Sequence, residues 1–166
     1  MERLTGGPAD VLTQIPNGLF VLTASHDDCR SGSLVRWVQQ CAEAPPMVVV
    51  SMRKGQSIEP LIRDSRAFAL CQLDPSEIFL RRKFEVPHNH GEDPFVSLPT
   101  TCAPSGSPVL LRARAFIDCE LMRHLDIESD YELYIGLVRH ARLLSSAERA
   151  TESLHGRENG SIRRPA

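Results

Sequence analysis

Hydrophobic residues in this chain occur in short runs that are separated by turn residues, and few of the runs have a helical period. Turn signals such as His26-Asp27-Asp28 and the acidic segment 126–130 divide them. Enrichment in β-branched and aromatic residues predicts strands over residues 18–25, 34–40, 47–52, 67–73 and 131–144. Residues 109–123 predict one long strand or two broken ones. The pattern is typical of a strand-rich protein.

Two short helices are predicted between these strands. The first spans residues 57–65, where apolar residues recur at helical spacing and therefore share one face. The second runs from residue 75 to residue 82, with Ile78, Phe79 and Leu80 on or near its buried side. The helices interrupt the strand series without converting it into repeated β-α-β units.

The segment 85–108 differs from the rest of the chain because it contains five prolines and two glycines. These residues interrupt helices and strands, so the segment excludes long regular elements. We expect an excursion that packs over the main sheet or against a partner. Residues 8–14 predict a short turn or helix at the entry to the first strand.

The strand order favours a closed antiparallel sheet. The residues 18–25 and 34–40 form a predicted hairpin, and Pro45-Pro46 marks a bend before the next strand. The unbroken apolar run Met47–Val50 predicts burial on both faces, as in a barrel wall. No glycine fingerprint of a dinucleotide-binding β-α-β unit occurs. We therefore predict a mainly β domain over residues 1–146, followed by a polar tail over residues 147–166.

Composition limits the classes of partner. The chain has 166 residues, a formal net charge of -2 and an isoelectric point near 6.3. No global field therefore favours nucleic acid or an anionic membrane. No apolar run approaches the roughly 20 residues that span a bilayer, and the first ten residues lack the apolar core of a secretory signal. We expect a cytoplasmic protein. The five cysteines include no close pair, which argues against a disulfide framework.

A basic, hydroxyl-rich turn follows the apolar strand at residues 47–52. Ser51, Arg53, Lys54 and Ser57 occur there, just before a predicted helix. Donors and positive charge at a strand-to-helix turn are the features of an anion site. The alternative is a solvated turn in which Ser57 is an ordinary helix cap.

The only tryptophan, Trp37, stands beside Arg36 one predicted strand away from this turn. A planar aromatic ligand fits along such a strand edge, and its anionic tail would then reach the basic turn. The alternative for Trp37 is an aromatic residue of the core or of a dimer interface.

A second cluster of chemically active residues has the composition of a metal site. His88, His90, Glu92 and Asp93 fall within six residues. The segment lacks regular structure and a third histidine at defined spacing, so a solvated loop is the favoured interpretation. No metal site is predicted.

Three stretches resemble one known family in the same order along the chain. GSLVRWVQQCAEAPPMVVVSMRK is similar to the pattern G-M-T-V-S-W-V-T-Q-x-S-x-x-P-P-x-x-x-V-A-I-x-K of flavin reductase-like proteins with the FMN-binding split barrel. SGSPVLLRARAFIDCEL and SDYELYIGLV resemble two later signatures of that family. The resemblance covers roughly residues 10–145 and looks closest to the reductase domain of diflavin flavoproteins.

The resemblance implies an antiparallel Greek-key split barrel that forms a homodimer with flavin at the subunit interface. It implies FMN as the cofactor, with FAD as a possibility, and hydride transfer from NAD(P)H to flavin N5. The alternative is a flavin-binding or electron-transfer module without NAD(P)H turnover. A third possibility is a barrel that has lost flavin and serves as a binding protein.

The resemblance also implies which segments hold the cofactor. The strand that matches Leu34–Val38 would run along the isoalloxazine ring, and residues 51–57 would receive the ribityl chain and phosphate. The implied cofactor-binding residues are Leu34, Val35, Arg36, Trp37, Val38, Ser51, Met52, Arg53, Lys54 and Ser57. Leu34 and Arg36 replace hydroxyl residues of the family. Tyr131 replaces a histidine near the nicotinamide and is the one catalytic candidate.

Overall fold

The computed structural model of the chain describes residues 7–145. The helices in this range are α1 (Pro8–Leu12), α2 (Glu59–Ser65) and α3 (Ile78–Glu85). The strands are β1 (Phe20–His26), β2 (Cys29–Val35), β3 (Trp37–Glu43), β4 (Pro46–Arg53), β5 (Ala67–Gln72), β6 (Thr100–Cys102), β7 (Pro108–Leu110), β8 (Ala115–Asp126) and β9 (Tyr131–Leu143). The predicted polar tail lies outside the described residues.

Seven strands form one antiparallel sheet in the order β2-β1-β5-β8-β9-β4-β3, and β6 pairs with β7 separately. The two edge strands, β2 and β3, are separated in the chain by Arg36 alone. The sheet must curl until these edges meet, because one residue cannot bridge an open sheet. The prediction of a mainly β antiparallel Greek-key barrel with short inserted helices is confirmed.

Buried side chains form two clusters, one on each face of β1 and β5. Inside the barrel, Leu22 and Phe68 pack with side chains from α2, β4 and β9. Outside, Val21 and Cys71 pack against α3, Phe95 and the β6–β7 hairpin. The strands buried on both faces are therefore β1 and β5. Burial in β5 raises the pKa of the Cys71 thiol to about 12.

The predicted burial of β4 on both faces is wrong. Val48, Val50 and Met52 are buried, whereas Met47 and Val49 on the opposite face are only half-buried. Helix α3 and the β6–β7 hairpin cover β1 and β5, and no part of residues 7–145 covers this face of β4 as fully. An apolar run therefore marked a strand with one buried face and one partly exposed face.

The predicted strand 34–40 is also wrong as a single element. Leu34 and Val35 end β2 and pair with β1, whereas Trp37 begins β3 and pairs with β4. The predicted hairpin thus ends at Val35. The Arg36 carbonyl at the break accepts a hydrogen bond from the Gly18 amide at 3.0 Å. The bend at Pro45-Pro46 is confirmed as the turn between β3 and β4.

Helix α3 begins three residues later than predicted, because the Glu77 carboxylate caps it by accepting the Leu80 amide at 3.2 Å. Leu80 and Phe84 form its buried face. Ile78 and Phe79 are exposed, at 55% and 54%, so their predicted burial is wrong. Successive helix residues are about 100° apart, so Ile78 and Phe79 lie off the face that Leu80 and Phe84 share.

The absence of long regular elements from segment 85–108 is confirmed, since the segment contains only the last residue of α3, the short strand β6 and the first residue of β7. Phe95 packs on Phe84 with ring centroids 5.4 Å apart. A Cβ on Gly32 would lie 2.9 Å from the Phe84 ring and 3.1 Å from Phe95, so glycine permits this close approach to β2. The contact fixes the segment beside β2.

Residues 109–123 form the broken alternative, with a gap between β7 and β8. None of the helices within residues 7–145 has the length and apolar character needed to cross a bilayer.

Candidate functional site

A cavity of about 340 Å³ lies at the seam where β2 passes into β3, and we call it the seam cavity. This volume is within the range of ligand pockets, about 300 to 1,000 Å³. Its walls come from the seam, the end of β4, the following turn, the end of α3 and the start of β9. The lining residues are Ser33, Leu34, Val35, Arg36, Trp37, Ser51, Met52, Arg53, Gln56, Glu85, Pro87 and Tyr131.

The structure brings most of the sequence-predicted cofactor residues together on this cavity. Those that line it are Leu34, Val35, Arg36, Trp37, Ser51, Met52 and Arg53. Val38 lines a neighbouring groove, Lys54 is bound to Asp126, and Ser57 lines a separate cavity. Ser57 is not the helix cap either, since α2 begins after Ile58 and the Ser57 hydroxyl is hydrogen-bonded to that of Ser31 at 2.7 Å.

An aromatic pair stands at one side of the seam cavity because of strand register. Trp37 pairs with Ser51, and Arg53 pairs with Tyr131 on the next strand. The Trp37 and Tyr131 rings therefore meet, with centroids 4.9 Å apart and planes tilted by 44°. Trp37 is 52% exposed, so its indole is available to a further ring.

Two guanidinium groups give the seam cavity positive charge. Arg36 lies 3.4 Å from the Glu85 carboxylate, and Arg53 lies 4.0 Å from Asp130. Both pairs are long and solvent-exposed, so each contributes little to stability. An anionic ligand can therefore replace either carboxylate partner without loss of a strong ion pair.

Lys54 holds the tip of the β8–β9 hairpin beside the cavity. Its ammonium group donates to Asp126 Oδ1 at 2.5 Å, and its backbone amide donates to the Asp130 carbonyl at 3.0 Å. The Lys54 hydrogen bond, followed by one from the Glu128 amide, holds the pKa of the Asp126 carboxyl below its ordinary value. Tyr131 follows this tip directly.

A partly buried polar network lies beside the tip of the same hairpin. The Tyr134 hydroxyl donates to Glu132 Oε1 at 2.5 Å, and His124 Nε2 lies 2.6 Å from Glu132 Oε2. Burial, and then the bond to Glu132, raise the pKa of Tyr134 above its ordinary value. Glu132 is 5% exposed, so these two partners satisfy a carboxylate that burial alone would destabilise.

Sequence reasoning missed four lining residues. Ser33 and Gln56 lie within or beside the predicted segments, and the two-residue period from Val35 would have indicated Ser33. Glu85 and Pro87 gave no local signal, because packing of the distant α3 on β2 brings them to the cavity.

A second cavity, of about 200 Å³, lies beyond the Ser31–Ser57 pair, and we call it the acidic cavity. Its lining residues are Asp28, Cys29, Arg30, Ser31, Ser57, Pro60, Leu61, Asn89, His90, Gly91, Glu92 and Asp93. It contains three members of the metal-like cluster. Asp93 accepts two hydrogen bonds from Arg30, at 2.6 and 3.1 Å, and Glu92 accepts the Asn89 amide.

The fourth member, His88, contacts the edge of Phe84, and burial lowers its pKa. Within residues 7–145, no three side chains of metal-ligand type come close enough to hold an ion.

An apolar groove of about 480 Å³ adjoins the seam cavity on its other side. Trp37 and Ser51 line both spaces. The remaining groove residues are Leu12, Ile15, Pro16, Val38, Gln39, Val49 and Leu133. The groove lies on the half-buried face of β4.

Comparison with known proteins places this architecture in a family. The sequence model described as "Flavin reductase like domain" matches residues 12–160. The chain belongs to the flavin reductase-like domain family. It is 30% identical, over 161 residues, to diflavin flavoprotein A 1 of Synechocystis sp., covering 96% of this chain and 28% of that protein. The chain spans between 21% and 28% of the length of the first curated relatives that it matches.

Solved structures share the fold at low sequence identity. The NADH:FAD oxidoreductase SgcE6 of Streptomyces globisporus superposes with a TM-score of 0.75 at 21% identity, covering 86% of this chain and 87% of that one. An FMN-binding protein from Thermus thermophilus gives a TM-score of 0.72 at 18% identity, covering 88% and 81%. These superpositions establish a common fold. At such low identity, the chemistry must be argued from this chain's own residues.

The seam cavity fits a flavin nucleotide in its donor set. The Trp37–Tyr131 pair, the guanidiniums of Arg36 and Arg53, and Ser33 and Ser51 all line it. A planar ring system needs stacking surfaces, and a phosphorylated polyol needs positive charge and hydroxyl donors.

Removal of the Lys54 ammonium in Lys54→Met should raise the pKa of Asp126 toward its ordinary value, because its strongest hydrogen-bond donor is lost. The stability that this pair contributes is present above the ordinary pKa of aspartate, and it is lost as the pH falls through the lowered pKa. Carboxyl ¹³C NMR titration measures the shift. Arg63→Met, which removes the partner of Asp64, should leave Asp126 unchanged. An unaltered Asp126 pKa in Lys54→Met would contradict the assignment.

Proposed function

We propose that the protein binds FMN in the seam cavity and reduces it with NAD(P)H as a flavin reductase. The observation that carries the proposal is the convergence of two segments, Leu34–Trp37 and Ser51–Arg53, on one cavity. Family membership supports the same activity. The β3–β4 hairpin pairs Trp37 with Ser51 and so brings the two segments together.

The side chains that line the seam cavity indicate the orientation of the bound flavin. The ring lies on the Trp37 side, because Trp37 and the apolar groove offer the aromatic and apolar surface there. The phosphate lies toward Arg53 and Gln56, because charge-assisted bonds from a guanidinium to phosphate are the stronger polar contacts available. This direction agrees with the order in which the family resemblance assigns the two segments.

Bound FMN would supply the hydride acceptor at its N5 atom, and the protein's task is to position it. The Trp37–Tyr131 pair restricts the ring plane, and the seam backbone supplies amide and carbonyl groups along its edge. Arg36 brings positive charge beside the ring, where reduction develops negative charge.

A second candidate is a flavin-binding module without NAD(P)H turnover. Tyr131 favours it, since this residue stands where the family resemblance places a histidine near the nicotinamide. The Tyr131 ring is also occupied by its contact with Trp37.

An absorbance spectrum of the purified protein tests both candidates. With FMN added, the reductase predicts a flavin spectrum that NADH or NADPH bleaches under anaerobic conditions. A flavin spectrum that neither nucleotide bleaches would leave the binding module. If neither FMN nor FAD produces a shifted spectrum, both candidates fail.

Arg53→Ala should weaken FMN binding by about 1 to 2 kcal/mol and riboflavin binding much less, because riboflavin lacks the phosphate. Fluorescence quenching titrations of both ligands measure the difference. Arg63→Ala is the matched control, since Arg63 is exposed, pairs with Asp64 and does not line the cavity. Equal losses for FMN and riboflavin in Arg53→Ala would remove Arg53 from the phosphate site.

We also propose a homodimer in which the partner covers the apolar groove and closes the flavin site. Three apolar side chains of the groove support a second copy of the chain as its occupant. Val49 is half-buried on the open face of β4, and Leu12 and Ile15 are exposed at 61% and 57% beside it. Family members are expected to pair in this way, and an apolar surface of this kind marks an interaction site.

Val49→Asp should shift the protein toward monomer, with a dissociation constant raised by about 100-fold, because an interface carboxylate would be buried without a partner. Sedimentation velocity measures the distribution. Val96→Asp is the control, as Val96 is 63% exposed and outside the groove. A wild-type protein that sediments as a monomer at every concentration would contradict the proposal.

A further inference from the structure

The acidic cavity adjoins the proposed flavin site, and the inference drawn from it rests on the proposed function. We propose that the chain selects FMN over FAD, and that the carboxylates of the acidic cavity exclude the adenylate half of FAD. FMN ends at its phosphate, whereas FAD continues through a second phosphate to adenosine. The space beyond the first phosphate therefore determines whether FAD can bind as FMN does.

The acidic cavity is the next space beyond the seam cavity along β2. Ser33 and Ser31 are two residues apart on β2, so their side chains point to the same side. Ser33 and Gln56 line the seam cavity, whereas Ser31 and Ser57 line the acidic cavity. Two polar contacts form the wall between them: Ser33 Oγ to Gln56 Oε1 at 3.5 Å, and Ser31 Oγ to Ser57 Oγ at 2.7 Å.

The wall between the two cavities is polar and largely buried. Ser31 and Ser57 are 3% and 9% exposed, and one hydrogen bond joins their hydroxyls. Both residues line the acidic cavity, so this pair closes the wall on the side away from the seam cavity. A phosphate in the seam cavity would meet the wall at Ser33 and Gln56.

Charge reverses on the far side of the wall. The seam cavity has Arg36 and Arg53 against Glu85, whereas the acidic cavity has three carboxylates against Arg30. Arg30 is already bound to Asp93, so Asp28 and Glu92 are left without a cation in the lining. A second phosphate placed here would face like charge, which is costly in a partly enclosed space.

Size acts in the same direction. The acidic cavity holds about 200 Å³, below the roughly 300 Å³ at which ligand pockets begin. The segment 89–93 forms one wall, and the packing of Phe84 and Phe95 on Gly32 fixes that segment beside β2. The cavity therefore cannot widen for adenosine without disturbing buried aromatic contacts.

The test is the ratio of the FAD and FMN dissociation constants, measured by fluorescence quenching on the full chain. In the wild type we expect FAD to bind at least about tenfold more weakly than FMN, with the ratio falling as salt screens the carboxylates. Asp28→Asn should lower the ratio by about two- to fivefold, because one exposed charge is removed. Glu92→Gln should act similarly and retains an acceptor for the Asn89 amide.

Asp27→Asn is the matched control. Asp27 and Asp28 are neighbours in the β1–β2 turn, both have positive φ, and asparagine tolerates that conformation. Only Asp28 lines the acidic cavity, so Asp27→Asn should leave the ratio unchanged.

Equal binding of FAD and FMN by the wild type would overturn the inference while leaving the proposed function intact. An identical ratio change in Asp27→Asn and Asp28→Asn would also overturn it, because the effect would then be one of net charge. Failure of both flavins to bind overturns the proposed function and the inference together.

Discussion

The one-residue connection between β2 and β3 is the constraint on which the architecture depends. These strands form opposite edges of the seven-stranded sheet, and Arg36 alone joins them. The sheet must therefore close. Pairing of β3 with β4 places the end of β4 beside the start of β3, and the end of β2 lies one residue away. The seam cavity lies where these three strand ends meet, and its chemistry follows from the side chains that occupy them.

A second contact determines what faces the seam from outside the barrel. Gly32 lets Phe84 and Phe95 approach β2 closely, and this contact brings the end of α3 and the loop after it alongside the strand. Glu85 and Pro87 then line the seam cavity, and the loop residues that follow line the acidic cavity. One aromatic contact thus supplies a wall to both spaces, although neither ring touches them as a lining residue.

The sequence predicted the strand-rich barrel because β-formers, turn residues and missing glycine fingerprints all indicated the same class. Seven of the ten proposed cofactor residues also line one cavity. The break at Arg36 was not predictable locally, because neither glycine nor proline marks it and the change of strand partner is a tertiary effect. The burial of Ile78 and Phe79 was predicted wrongly because consecutive helix residues are about 100° apart and cannot share the face of Leu80. Lys54, which the family resemblance and its charge assign to the site, is hydrogen-bonded to Asp126, 72 positions along the chain.

Trp37 has a thermodynamic consequence beyond its role as a wall. The same indole lines the seam cavity and the apolar groove, so a ligand in one space and a protein surface on the other contact one side chain. Flavin binding and self-association would then be linked. If flavin binding strengthens self-association by a given free energy, self-association strengthens flavin binding by the same amount. The strength of self-association would depend on flavin concentration, and the affinity for flavin would depend on protein concentration. Since the chain contains a single tryptophan, its emission would report both equilibria from one position.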